Sequence, residues 1–229
     1  MDNLPVKYDP RLISFNTLRK SIGWLSVTLS PAMLLGNYFL ADCSYIQESI
    51  SDYYYTVTGN LLVGMFCCMA LFLISYKGYP GEQLDEWLTT IAGILALGAA
   101  FIPTNEPLIK SCAIIHLPWD TTRSLTHNLL ASLFFIMLAL ISMLLFTKGR
   151  GEPTPQKIKR NRVYIICGSI MMLVIIVVPI YHQLVKAYPA WEKYKLVFWL
   201  ETLAMTAFGI SWLVKGGLFL RDRPAVNHH

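Results

Sequence analysis

Long apolar segments separated by short polar ones run through the whole chain. Five segments contain no Asp, Glu, Lys or Arg and a sixth contains one; they are residues 21–41, 53–76, 87–105, 124–147, 163–185 and 196–214. A helix needs about 18–20 apolar residues to cross the hydrocarbon core of a bilayer. The pattern therefore predicts an all-α membrane protein with six transmembrane helices in one bundle, spanning about residues 22–41, 57–76, 87–103, 123–147, 163–181 and 196–215.

Composition agrees with this pattern and limits what else the chain contains. Apolar residues make up 55% of the sequence and charged residues 14%, against about 25% charged residues in soluble proteins. Residues 1–20 are predicted to form a basic arm beside the membrane, and residues 217–229 a tail. No connecting segment is long enough for a second domain.

The distribution of positive charge predicts the orientation in the membrane. With the N-terminus in the cytoplasm, most of the 19 Lys and Arg residues fall on the cytoplasmic side, as the positive-inside rule requires. Both termini are therefore predicted to be cytoplasmic. This topology and the attraction to anionic lipid headgroups explain the net positive charge, so nucleic acid is not a predicted partner.

Aromatic and small residues indicate how the helices meet lipid and one another. Tyr and Trp collect at the predicted span ends, as in an aromatic belt at the membrane interface; the set includes Tyr53, Tyr54, Tyr55, Tyr76 and Trp212. The third span contains "IAGILALGAAFIP", which is rich in Ala and Gly. Because small residues let helices approach closely in lipid, we expect this span to lie at the centre of the bundle.

The stretch "QESISDYYYT", residues 47–56, differs from the apolar segments on both sides of it. It contains two carboxylates and three consecutive tyrosines but no Lys or Arg. A loop fully buried in lipid is excluded, because its backbone polar groups would lack partners there. We predict that the stretch folds back at the outer headgroup layer, with its tyrosines anchored in the interface.

Polar and ionisable side chains gather in one layer near the predicted outer face. The residues predicted to bind a ligand are Ser51, Asp52, Asn60, Asp120, Arg123, His127, His182 and Glu201. Glu201 lies roughly 7 Å into the sixth span, at about 1.5 Å per residue. A carboxylate inside a span costs about 2.5 kcal/mol or more unless it is paired, protonated or hydrated. We therefore expect Glu201 to pair across helices with His127, His182 or Arg123.

Several of these residues also have a purely structural interpretation. Glu201 is shallow enough to reach headgroup water, and His127 can make an interhelical hydrogen bond that holds the bundle together. Asp120 can cap the fourth helix. His182, at the end of the fifth helix, can be a solvated residue.

Cysteine and motif patterns provide little further chemistry. The five cysteines show no metal-binding spacing. Cys43 and Cys112 both lie on the predicted outer side, where a disulfide can persist, although each can instead be a small apolar residue. Standard catalytic and nucleotide-binding motifs are absent.

No cofactor is predicted, with zinc as the alternative. Histidine and carboxylate side chains bind zinc, and His127, His182 and Glu201 or Asp52 are the candidate ligands. A serine beside a histidine, Ser51 or Ser124, is a candidate nucleophile.

The chain resembles a known superfamily in its six spans, in the "ISD" motif before the second helix, and in "THNLLASLFF", where a histidine opens the fourth helix. This superfamily contains the damage-regulated autophagy modulator and Sfk-type membrane proteins, with a bacterial branch of unknown function. The resemblance marks Ser51, Asp52 and His127 and implies the bacterial cytoplasmic (inner) membrane. Members with known biology are implicated in lipid remodelling, lipid asymmetry and autophagy, so the resemblance implies lipid handling.

The function predicted from these features is a polar pocket, open towards the outer leaflet, that binds a lipid headgroup or similar amphiphile. Arg123 would hold a phosphate, while Asp52, His127 and Glu201 would orient hydroxyl or amine groups. The alternatives are an intramembrane zinc-dependent hydrolase, a proton-coupled carrier that uses Glu201, and a membrane scaffold. Membrane lipids are the predicted partners, and whether the protein is an enzyme stays open.

Overall fold

The computed structural model describes residues 14–78, 83–107, 111–148, 152 and 154–220, and within them the chain is all-α. The main helices are α1 (Phe15–Ala41), α2 (Gly59–Ile74), α3 (Gln83–Phe101), α4 (Thr121–Leu140, continued by a π-helical turn at Ile141–Leu145), α5 (Pro155–Ala187) and α6 (Leu196–Lys215). Short 3₁₀ helices, Ser51–Tyr55 and Pro189–Tyr194, lie in the connections before α2 and α6.

The helices form a closed ring. Each packs against the next one along the chain, and α6 packs against both α5 and α1. Two facing glycines allow the contact between α1 and α6: a Cβ on Gly23 would lie 2.9 Å from the Gly209 carbonyl oxygen, and a Cβ on Gly209 would lie 2.7 Å from the Gly23 carbonyl oxygen. Small residues at such crossings let helix backbones touch.

Four helices are long and apolar enough to cross a membrane, by length and composition: residues 83–101, 121–145, 155–185 and 196–215 of the described part of the chain. Helix α2 is apolar but has 16 residues, and α1 has 27 residues but lies outside this group. The predicted all-α fold is confirmed, and four of the six predicted spans meet the requirement for crossing.

Helices α1 and α5 begin seven and eight residues before their predicted spans, and α3 begins four residues before its span. Helix α1 starts at Phe15, so residues 15–20 of the predicted arm are helical, and Ser14 caps them by accepting a hydrogen bond from the Thr17 N–H at 3.1 Å. Helix α5 starts at Pro155 with Thr154 as its cap. These first turns are polar, so apolar periodicity does not reveal them. Residues 1–13 of the arm and 221–229 of the tail lie outside the described residues.

The two ends of the ring are different, and we name them by their most distinctive features. The disulfide end carries residues 42–58, 102–107, 111–120 and 188–195, including a Cys43–Cys112 disulfide with Cα atoms 6.1 Å apart. The basic end carries the start of α1 and α5 and the end of α6, with the cations Arg19, Lys20, Lys157, Lys159, Arg160, Arg162 and Lys215.

Part of the aromatic belt that the sequence predicts is turned inward, while other members of it are exposed near the ends of the helices: Trp87, Tyr188, Trp191, Tyr194 and Trp199. Tyr53 and Tyr55 are buried with at most 1% of their surface exposed, and Tyr76 and Trp212 are buried at the basic end. The rings of Tyr76 and Phe146 lie 5.1 and 5.0 Å from that of Trp212, centroid to centroid. The interface prediction is wrong for these residues, because tertiary packing turns them inward.

The third span approaches its neighbour closely, as predicted, but it is not the most central. A Cβ on Gly93 of α3 would lie 2.8 Å from the Ala70 carbonyl oxygen of α2. However, 61% of the α6 span is buried against 39% of the α3 span. Helix α6 is more buried because it contacts α1 and α5 and also reaches α4.

Candidate functional site

The connection at residues 42–58, which we call the cap loop, is tied to the connection between α3 and α4. Besides the disulfide, the Gln47 Nε2 donates to the Ser111 carbonyl at 2.9 Å, and the Ile114 N–H donates to the Tyr55 carbonyl at 2.8 Å. The Tyr55 hydroxyl donates to the Thr104 carbonyl at 2.5 Å. These bonds satisfy backbone groups that would otherwise be buried without partners.

The cap loop is also fixed to the start of α6. The Phe198 N–H, which the helix itself leaves without a partner, donates to the Glu48 carbonyl at 2.9 Å. The half-buried Glu201 accepts a hydrogen bond from the Ile50 N–H at 2.7 Å through Oε2. The expectation that Glu201 pairs with His127, His182 or Arg123 is therefore wrong: the bond that fixes Glu201 comes from a backbone amide.

Ser51 and His127 are brought together by the same arrangement. The Ser51 Oγ lies 2.9 Å from the His127 Nε2, and the His127 Nδ1 lies 2.7 Å from the Ile102 carbonyl oxygen. A carbonyl oxygen only accepts, so the Nδ1 carries a proton. In the neutral imidazole the Nε2 is then the acceptor, and the Ser51 hydroxyl donates to it.

A cavity of about 50 Å³ lies beneath the cap loop. Its polar lining consists of Ser51, Tyr54, His127 and Glu201. The rest of its wall is apolar and comes from the cap loop and α2, α3, the turn after α3, α4 and α6: Ile50, Leu62, Phe66, Ala99, Ala100, Pro103, Ala131, Phe134, Phe135 and Met205. A mostly apolar wall with a few converging polar groups is typical of small-molecule sites, which usually have volumes of roughly 300–1,000 Å³. The cavity is smaller than that, so a larger ligand requires the side chains of the wall to move apart.

The apolar wall is the part of the site that sequence reasoning misses. On α4 the lining residues His127, Ala131, Phe134 and Phe135 stand at positions i, i+4, i+7 and i+8, so they share one helix face. This spacing is present in "THNLLASLFF" and is a usable signal. The Ile102 carbonyl that orients His127 has no sequence signal, because every residue has a carbonyl.

Asp52 is next to the cavity in sequence but does not line it. Its carboxylate accepts from the Ser49 N–H at 2.9 Å, and the Ser49 Oγ accepts from the Asp52 N–H at 3.2 Å, so the two residues lock the turn that presents Ser51. Burial raises the pKa of Asp52 to about 6, against the lowering effect of the bonds from Ser49 and the charge of Lys195.

A second carboxylate, the half-buried Glu48, lies in the same loop. Burial and the neighbouring Glu192 raise its pKa to about 7, while Lys195, whose Nζ is 3.7 Å from Glu48 Oε1, opposes this. The Lys195 Nζ also donates to the Tyr45 hydroxyl at 2.6 Å. The loop thus holds two carboxyl groups that bind protons more tightly in the folded state.

Arg123 and Asp120 stabilise the start of α4 and are outside the cavity lining. The Asp120 Oδ1 accepts from the Arg123 N–H at 3.1 Å, which confirms the predicted helix cap. The Arg123 Nη2 donates to the Asn105 Oδ1 at 3.1 Å and to the Pro118 carbonyl at 2.8 Å. Arg123 therefore orders the connection before α4.

Asn60 and His182 are exposed, and neither lines the cavity. Among the described residues there is no group of three or more His, Cys, Asp or Glu side chains placed to hold a metal ion. Of the eight predicted ligand-binding residues, the structure thus brings Ser51, His127 and Glu201 to one cavity.

A second cavity lies at the basic end and has the opposite character. Arg19, Lys157, Arg160 and Lys215 line it, and its volume is about 460 Å³. Its cations donate to backbone carbonyls: Lys157 to Lys148 at 2.7 Å and Arg160 to Leu220 at 2.7 Å.

No protein-family model, no curated protein and no solved structure matches this chain. The resemblance to the superfamily of damage-regulated autophagy modulator and Sfk-type proteins therefore stays a prediction.

Proposed function

We propose that the chain is an integral membrane protein that binds a lipid headgroup or similar amphiphile in the cavity beneath the cap loop. The observation that carries this proposal is the composition of that cavity. Apolar side chains from four helices form most of its wall, and Ser51, His127 and Glu201 stand where it meets the loop. An amphiphile has the same division into an apolar and a polar part.

The extent of the cavity lining along α4 supports a ligand with an apolar chain. Along α4 the lining runs from His127 to Phe135, which corresponds to roughly 12 Å at about 1.5 Å per residue. The polar groups stand at one end of this length. We propose that the apolar part of the ligand lies along Phe66 and Phe134, and that Ser51 and Glu201 bind hydroxyl or amine groups.

The role predicted for Arg123 is not part of this proposal. Its guanidinium bonds to Asn105 and Pro118, and it does not line the cavity. The same holds for Asp52, which holds the turn around Ser51 in place. The ligand contacts are therefore assigned to hydrogen-bonding groups, without a phosphate clamp.

We further propose that all six helices cross the membrane and that both termini are cytoplasmic. The closed ring supports six spans, because α1 and α2 pack side by side with helices that are long enough to cross. Two independent features support the orientation. The Cys43–Cys112 disulfide suits the outer side of the membrane, because disulfides persist on the oxidising side. The Lys and Arg residues of the basic end suit the cytoplasmic side. We place the protein in the bacterial cytoplasmic membrane on the resemblance alone.

Filling the cavity tests the proposal. Ala131 lines the cavity, whereas Ser132 is exposed on another face of α4, so Ala131→Phe and Ser132→Phe add bulk at neighbouring positions. We expect the amount of amphiphile that co-purifies in detergent, measured by mass spectrometry of extracts, to fall at least about tenfold in Ala131→Phe, a loss of about 1.4 kcal/mol. Ser132→Phe should retain the wild-type amount.

Equal retention in both variants, with both proteins folded, would contradict the proposal. Metal analysis of the same samples addresses the zinc alternative, since stoichiometric zinc in the wild type would favour a metal-dependent hydrolase. Uptake into proteoliposomes that is lost in Glu201→Gln would favour the carrier.

A further inference from the structure

We propose that Ser51 is an activated nucleophile that cleaves a carboxylic ester of the bound amphiphile, with His127 as its general base. This inference rests on the proposed function, because it takes the occupant of the same cavity as its substrate. The juxtaposition that carries it is the hydrogen bond between the Ser51 Oγ and the His127 Nε2, at 2.9 Å on the wall of an apolar cavity.

The tautomer of His127 makes its Nε2 available as a base. The Ile102 carbonyl, 2.7 Å from the Nδ1, fixes the proton on that nitrogen and leaves the lone pair of the Nε2 facing Ser51. An imidazole in this state can accept the serine proton as the hydroxyl attacks. In serine hydrolases a third group holds the histidine in this orientation, and a backbone carbonyl performs that task here.

Hydrogen bonds on both sides of Ser51 fix the turn that carries it. The residue before it is fixed by the bond from the Ile50 N–H to Glu201, and the residue after it by the reciprocal bonds of Asp52 and Ser49. The disulfide anchors the start of the cap loop. Ser51 is thus held near one geometry before a ligand binds, which lowers the entropic cost of attack. Glu201 and Asp52 are positioning residues in this scheme.

Ser51 and Ser124 differ in their access to the cavity. Ser124, the other serine considered from the sequence, bonds to the Thr104 Oγ1 at 3.2 Å and is outside the cavity lining. Ser51 is half-buried and lines the cavity together with His127. A substrate carbonyl in the cavity can therefore reach Ser51.

The reaction balances with water as the only co-reactant. The Ser51 oxygen bonds to the ester carbonyl carbon while its proton passes to the His127 Nε2. The ester C–O bond then breaks, and the leaving alkoxide takes that proton and departs as an alcohol. Water next attacks the acyl-serine and loses a proton to the Nε2. The bond between the acyl carbon and the Ser51 Oγ then breaks, the Oγ takes the proton back from the Nε2, and a carboxylic acid is released.

The substrate class follows from the cavity. The acyl chain lies in the apolar part along Phe66 and Phe134, which places the ester carbonyl at the polar end beside Ser51. The alcohol part then lies next to the cap loop. We therefore assign the activity to acyl esters of amphiphiles.

An alkyl fluorophosphonate tests this chemistry, since it phosphonylates activated serines. Purified full-length protein in detergent should gain one adduct in its intact mass, and peptide mapping should place it on Ser51. Ser51→Ala should gain none, and the matched control Ser124→Ala should be labelled at the wild-type rate. His127→Ala should be labelled about 10²–10⁴-fold more slowly, the usual contribution of a general base. Hydrolysis of 4-nitrophenyl octanoate should follow the same order.

The outcomes separate this inference from the proposed function. A folded wild-type protein that retains amphiphile but gains no adduct overturns the nucleophile and leaves the binding function standing. Labelling of His127→Ala at the wild-type rate, with its melting temperature preserved, also overturns it, because Ser51 would then be merely accessible. An adduct on Ser51 without co-purified amphiphile supports the nucleophile and removes the binding proposal.

Discussion

The two ends of the helical ring each hold a cavity, but they are built in different ways. At the disulfide end the cavity is mostly apolar, and Ser51, His127 and Glu201 are its main polar groups. At the basic end Arg19 and Lys215 are among four cations that line the second cavity. The first can select a ligand by shape and a few hydrogen bonds, whereas the second can attract anions at longer range.

The interactions that stabilise the two ends also differ. At the disulfide end a covalent bond and backbone hydrogen bonds join the connections to one another and to α6. At the basic end a cluster of buried rings surrounds Trp212, and lysine and arginine side chains donate to carbonyls at helix ends. Backbone bonds fix atoms in place, while long cationic side chains keep more freedom. A reactive centre is therefore better placed at the disulfide end.

Breaking the disulfide should have the largest effect on this comparison. Cys43→Ser with Cys112→Ser removes a link between residues 69 positions apart. We expect a loss of about 2–4 kcal/mol of unfolding free energy, because the unfolded chain regains the freedom of a long loop. Thermal unfolding in detergent measures the loss, with Cys68→Ser, an exposed free cysteine, as the control.

Hydrogen exchange locates that effect. Amides of residues 42–58 should exchange faster in the double variant, while those of residues 141–148 and 155–164 at the basic end should not change. Equal acceleration at both ends would contradict the view that the ends are stabilised separately.

Removing the acceptor on α6 should have a smaller effect at the same end. Glu201→Leu leaves the Ile50 N–H without its partner, which we expect to cost about 1–3 kcal/mol. Glu201→Gln keeps a carbonyl oxygen in that place and should cost less. The comparison of melting temperatures tests this, together with the fluorophosphonate labelling rate. If Glu201→Leu is as stable as the wild type, the bond to Ile50 does not hold the cap loop in place.

The smallest expected effect is a dependence on pH. The folded state raises the pKa of Asp52 from 3.8 to about 6, so folding takes up protons between these values. Stability from this group is therefore present at low pH and is lost as the pH rises through 6, a difference of about 1 kcal/mol between pH 5 and pH 8. The raised pKa of Glu48 acts in the same direction.

Melting temperatures at pH 5 and pH 8 measure this dependence. Asp52→Asn should reduce the gain in stability on acidification, and Asp120→Asn, at the exposed helix cap, should leave it unchanged. A wild-type protein that is less stable at pH 5 than at pH 8, or an unchanged gain in Asp52→Asn, would contradict the assignment.

Much of the site could be found from residue types and depth. The sequence predicts His127 and Glu201 in one layer, because ionisable residues near the ends of apolar segments reach the same depth, and Ser51 is marked by the "ISD" motif of the resemblance. The structure does bring these three to one cavity. Asn60 and His182 share that depth but are exposed on the ring, since depth alone does not specify the direction in which a side chain points.

The amino-acid sequence by itself determined the all-α fold, the apolar helices and the cap at Asp120, because these depend on local periodicity and local hydrogen bonds. Tertiary structure alone decided the partners of the chemically important groups. Glu201 bonds to the Ile50 amide, and His127 to the Ile102 carbonyl. Backbone groups are identical at nearly every residue, so no residue pattern identifies which one a folded chain will bring to a given side chain.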